Sequence, residues 1–175
     1  MFDTDELDQA FAKAKGTGGR GGLEGLPDGE YTFEVLAAEL KKPNDKTTVF
    51  ARKLVVLGGE FDGSEVTADV FLKSSGELRD INVDLTKKEL RILGFDCDDW
   101  TPEKGRPFGK ELVRACAAMK GLRFVGTKKS NEGGSGEKKK TYHNLYVERR
   151  AGGDGKPDRF GPAEIEQAVK QDVPF

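Results

Sequence analysis

Hydrophobic and polar residues alternate one for one over several stretches of this chain, the pattern of strands that bury one face. Tyr31, Phe33 and Val35 alternate with Thr32 and Glu34, which predicts a first strand running to about Leu40. It follows Leu26-Pro-Asp-Gly-Glu-Tyr31, where Pro-Asp-Gly is turn chemistry. A second strand is predicted over 48–57, ending at Gly58-Gly59. After the Asp62-Gly63 turn a third, over 64–73, sets Val66, Ala68, Val70 and Leu72 on one face. Thr67, Asp69, Phe71 and Lys73 take the other. A fourth strand covers 122–127. A fifth covers 141–149, where Leu145 and Val147 alternate with Tyr142, Asn144, Tyr146 and Glu148.

Between the third and fourth strands the spacing becomes helical, over residues 77–120. Thr86 reads as an N-cap with Glu89 three residues on, Leu85 and Leu90 as a hydrophobic staple, and Gly94 as the stop. A second helix is predicted over 109–119, from Leu112, Val113, Cys116 and Met119. Residues 3–15 read as a short helix capped by Asp3, with Leu7 and Phe11 on one face. Gly16–Gly22 and residues 151–157 are glycine-rich linkers, and a short helix is predicted over 162–170. The chain thus divides into an N-terminal helix and linker (1–25), a globular domain (26–150), and a C-terminal linker and tail (151–175).

Three strands, helix, two strands is the order of the OB-fold, a partly open barrel. The predicted class is therefore mainly β: a five-stranded OB-fold barrel with a helical insert between strands three and four and flexible N- and C-terminal tails. A small β-sandwich or SH3-like barrel with helical insertions is the competing architecture. OB-folds commonly bind oligonucleotides across strands two and three, framed by the loops between strands one and two and between strands four and five. Here those loops are predicted at 41–47 and 128–140, and both are rich in lysine.

Charge sharpens this. The net charge is only −2, yet Lys104 to Arg150 holds 13 Lys and Arg against 4 Asp and Glu. Cations gathered on one face make a polyanion site. The candidate phosphate contacts are Arg52, Lys53, Lys73, Arg123, Lys128, Lys129, Lys138, Lys139 and Lys140. Arg52 and Lys53 point oppositely on one strand, and both are kept because sequence does not fix the register. Phe71, Tyr142 and Tyr146 alternate with buried positions and are the candidate rings for stacking on bases. Packing against the helical insert is the alternative for these rings, and a solvated surface the alternative for any single lysine. Phe50 and Trp100 are assigned to the core.

No catalytic residue is assigned. His143, the lone histidine, shares the face of Leu145 and is read as structural. Asp96, Asp98 and Asp99 lack the glycine and distal glutamate of a calcium loop. Cys97 and Cys116 are too far from each other and from histidine for a metal motif, so two free thiols are expected, with no metal and no cofactor. The acidic start is unlike a signal peptide, and no apolar run approaches the ~20 residues of a membrane span. The expected location is the cytoplasm.

Leu26-Pro-Asp-Gly-Glu-Tyr31, the Gly59-Glu-Phe-Asp-Gly63 turn and the helical middle resemble a family of small phage-encoded proteins associated with recombination and thought to bind single-stranded DNA. The likeness covers roughly residues 26–150. Separately, Asp172-Val-Pro-Phe175 is similar to the C-terminal tip of bacterial single-stranded DNA-binding proteins, whose Pro-Phe carboxylate docks on repair and replication enzymes. This tail has one immediate acid and lacks the usual long linker. Together these resemblances imply a non-enzymatic, sequence-tolerant binder of single-stranded DNA in replication, recombination or repair. Asp172, Val173, Pro174 and Phe175 would then recruit replication or recombination proteins. The alternative is an adaptor of such a complex without DNA binding of its own.

Overall fold

A computed structural model describes residues 21–133 and 140–171 of the chain. Its long strands are β2 (Gly29–Asn44), β3 (Thr47–Leu57), β4 (Glu65–Ser74), β6 (Arg123–Gly133) and β7 (Lys140–Arg150). Two-residue strands β1 (Gly21–Gly22) and β5 (Glu77–Leu78) lie on β4. The helices are α1 (Asp80–Ile92), α2 (Phe108–Met119) and α3 (Pro162–Gln171).

The sheet runs β1-β4-β3-β2-β6-β7, with β5 off β4. It is antiparallel except where β1 lies parallel on β4. Strands β2, β3 and β4 follow one another as hairpins. The chain then crosses through both central helices and returns as β6 on the far side of β2, which is a Greek key. The architecture is mainly β, but the sheet is open and has seven strands, not a closed barrel of five.

The opening has a physical cause. α1 contacts both β4 and β7 and so occupies the seam between them; the 3₁₀ turn Leu23–Gly25 touches the same two strands. The helix also answers the strand edges chemically. The Arg79 N–H donates to the Leu72 carbonyl at 2.9 Å, and Asn82 Nδ2 donates to the Phe71 carbonyl at 2.8 Å. On the other side the Val147 N–H donates to the Glu89 carboxylate. Covering an edge with a helix satisfies polar groups that would otherwise template pairing with another chain.

One face of the sheet holds the core. Phe33 lies opposite Val56 on β3 and Phe124 on β6, and the two rings are 5.4 Å apart. Leu54, Val66, Ala68, Leu145 and Val147 join them, and α2 adds Leu112, Ala115, Ala118 and Met119. Trp100 is buried, in edge contact with Phe95. Phe50 is buried too, as its alternation required.

Several sequence boundaries move. β2 continues to Asn44 and β3 starts at Thr47, so the expected 41–47 loop shrinks to a two-residue turn in which Asn44 Oδ1 accepts the Lys46 N–H at 2.8 Å. β6 likewise extends to Gly133. Backbone pairing in an antiparallel ribbon does not need apolar side chains, so polar hairpin ends are easily read as loop. Thr86 is not an N-cap. The helix starts at Asp80, where β5 feeds it directly, and the buried Thr86 hydroxyl donates one turn back to the Asn82 carbonyl at 2.8 Å. Gly21 to Gly25 belong to the fold rather than to a linker, since Gly21 and Gly22 pair with Val66 and Thr67 and Leu23 is buried. The stretch after Arg150 is packed as well: Phe160 stacks on Phe95 at 4.5 Å, and Ile165 of α3 is buried. The predicted helix over 3–15 lies outside the described residues.

Candidate nucleic-acid interface

The β6–β7 ribbon extends past β2, because β6 pairs with β2 only through Lys128. Beyond that point its two faces differ. On the inner face Lys128, Ser130 and Glu132 stand opposite Leu145, His143 and Thr141. On the outer face Thr127, Lys129, Asn131 and Gly133 stand opposite Tyr146, Asn144, Tyr142 and Lys140. No carboxylate stands on that outer face over these eight positions.

The inner face fixes the ribbon to the sheet. The Asp28 carboxylate accepts from Lys128 Nζ at 2.9 Å, the Ser130 N–H at 3.0 Å and the Ser130 hydroxyl at 2.6 Å. The Ser130 hydroxyl and N–H, together with the Lys128 ammonium, hold the Asp28 carboxyl far below the usual carboxylate range. Ser130 Oγ also accepts from Lys128 at 3.0 Å and lies 3.3 Å from His143 Nδ1. With the hydroxyl proton given to Asp28, the count closes if His143 carries its proton on Nδ1. His143 is thereby committed to the fold, as its place on the Leu145 face implied.

The outer face is prepared for a flat ligand. A Cβ on Gly133 would come within 2.7 Å of the Tyr142 ring, so the glycine lets the ring lie down across the ribbon. One side of Tyr142 rests there and 53% of the residue stays exposed. Tyr146 lies four residues on, half-buried, on the same face. Lys129 and Lys140 are exposed, and neither has an ion-pair partner among the described residues.

The other candidates divide sharply. Lys128 is buried and paired with Asp28, so its charge serves the fold. Arg52 is also buried. Its Nη1 lies 3.2 Å from Glu89 Oε2, and its guanidinium sits over the Phe50 ring. Neither is placed to meet a phosphate, because each would first have to leave its carboxylate. Lys53 pairs with Glu65 at 3.3 Å, and Arg123 with Glu34 at 2.9 Å. Lys73 and Phe71 do face outward, but on β4, at the opposite end of the strand order from the ribbon. Lys138, Lys139 and Asp172 to Phe175 lie outside the described residues. Asn131 and Asn144, which offer amides beside the rings, were not singled out by sequence. Continuing the strand alternation past Thr127 would have found Asn131.

The acidic loop holds no calcium-type arrangement. Asp98 pairs with Arg91 at 2.8 Å and Asp99 with Lys104. Cys97 and Cys116 are free and buried, and burial pushes the Cys116 thiol up to about 12. No helix among the described residues is long and apolar enough to cross a membrane. No protein-family model, curated protein or solved structure matches the chain.

Proposed function

We propose that this protein binds single-stranded DNA without sequence preference, with the outer face of the β6–β7 ribbon as its principal contact. The observation that carries the proposal is Tyr142, laid over Gly133 and 53% exposed, between two lysines that have no carboxylate partner among the described residues. Aromatic faces stack on any base, and each stacked base contributes ~1–3 kcal/mol. Lysines follow the phosphates and tie affinity to salt. The Greek-key order of the long strands, opened at one seam, supports reading the sheet as an OB-fold whose last closure is made by a helix.

Phe71 and Lys73 then form a secondary contact, reached only by a strand long enough to cross the molecule. Lys138 and Lys139 extend the lysine series between the ribbon strands. The protein acts as a binder rather than an enzyme, and the Asp172 to Phe175 tip recruits replication or recombination proteins.

Titrating labelled oligo-dT and a duplex of equal length at several salt concentrations tests the reading. Preference for the single strand is expected, with log affinity falling by ~0.7 per phosphate neutralised for each log unit of salt. Equal affinity for both, or indifference to salt, would overturn it.

A further inference from the structure

Six large apolar side chains are left exposed among the described residues, and four of them come from 71–85: Phe71, Leu78, Ile81 and Leu85. Ile81 is 77% exposed and Leu78 is 68% exposed. They form one corner. Leu78 lies opposite Lys73 across the β4–β5 pairing, which sets it diagonally beside Phe71 on the outer face. Ile81 and Leu85 are one turn apart on α1 and share a helix face. The opposite face of α1 is committed to the core through Thr86 and Leu90. A contiguous exposed apolar patch on a folded domain marks an interaction surface.

Charge selects the occupant. On the approach to α1 and in its first turns, Glu77, Asp80 and Asp84 outnumber the one base, Arg79. Its later turns carry Lys87, Lys88 and Arg91, with Arg91 paired to Asp98 and the one acid, Glu89, turned inward to Arg52. Asp80 and Lys88 are exposed, and neither has an ion-pair partner among the described residues. A two-fold interface must complement itself, because the same patch appears on both sides. A helix that is acidic at one end and basic at the other, with an apolar stripe between, meets that condition when it packs antiparallel on its own copy.

We propose that the β5–α1 corner is an isologous interface with a second copy of this chain. The two α1 helices pack antiparallel, Ile81 and Leu85 of each interlocking with those of the other. Lys88 of each copy then faces Glu77 and Asp80 of its partner. The proposal goes beyond the nucleic-acid reading and does not rest on it, since the ribbon lies on other strands.

The test is sedimentation equilibrium of the full chain over a concentration series, with melting curves to show that each variant folds. The wild type is expected to form a dimer in proportion to concentration. Ile81→Lys should leave a folded monomer, whereas Val113→Lys, at an isolated exposed apolar residue on α2, should change nothing. Asp80→Lys and Lys88→Glu should each weaken association roughly tenfold, and the two together should restore it. A wild type that stays monomeric at every concentration would refute the interface, as would a dimer indifferent to Ile81→Lys. A double charge reversal that fails to rescue would refute the antiparallel self-pairing.

Discussion

The β6–β7 ribbon and the β5–α1 corner both expose large side chains, and their surroundings give them different uses. Tyr142 rests on a glycine, with lysines and amides about it and no carboxylate on its face among the described residues. Ile81 and Leu78 are surrounded by apolar neighbours and by both signs of charge. A ring among unpaired cations suits a polyanion with flat bases. An apolar stripe among balanced charges suits a protein surface. Exposure alone does not separate the two cases; the electrostatic setting does.

The most severe way to perturb this contrast is at the pin that holds α1. Arg52→Ala leaves Glu89 buried without its cation, which should destabilise the fold by ~3–5 kcal/mol in denaturant titrations. Burial already raises the Glu89 carboxyl above its ordinary value, against the pull of Arg52. A raised carboxyl binds its proton more readily in the folded state than in the unfolded one. The deficit of the variant should therefore be smaller in acid and grow as pH rises through the folded value. Glu89 meets β7 at Val147, beyond the outer-face positions 140–146, so oligo-dT affinity of the folded variant should be unchanged.

At the ribbon, Tyr142→Ala should weaken oligo-dT binding by ~1–3 kcal/mol in fluorescence titrations, with no change in thermal stability beyond that of an exposed substitution. Phe71→Ala should do much less on short oligonucleotides; an equal loss would place both rings in one footprint. Lys129→Ala and Lys140→Ala should each reduce the salt dependence by a slope of ~0.7. Lys53→Ala should reduce it less, because Glu65 already shares that charge. The smallest expected signal concerns the thiols. Cys97 and Cys116 are buried and their thiols are raised, so a thiol reagent near neutral pH should label neither until the protein unfolds.

The alternation that marked the five long strands, and the face assigned to Tyr142, Tyr146 and Phe71, were legible because apolar and polar residues take turns there. The same alternation held information about Arg52, which falls in step with Phe50, Leu54 and Val56 on the buried side. A guanidinium at a core position should have prompted a search for its carboxylate. Lys128 was harder, since its partner Asp28 is 100 residues away. Polar hairpin ends carry no apolar period, so the extensions of β2 and β6 were read as loops. The early start of α1 and the edge that it covers arise from contacts across the seam, which no local pattern encodes.

The packing after Arg150 bears on how the protein can be cut down. Phe160 caps Phe95, Arg150 Nη1 donates to the Pro157 carbonyl at 2.6 Å, and Asp154 binds the Arg123 N–H. A fragment trimmed to 26–150, as composition alone would suggest, loses that lid at one end and the Leu23 plug at the other. Both apolar hollows would then open to water. Such a fragment would tend to aggregate on expression, whereas one spanning 21–171 keeps both ends sealed.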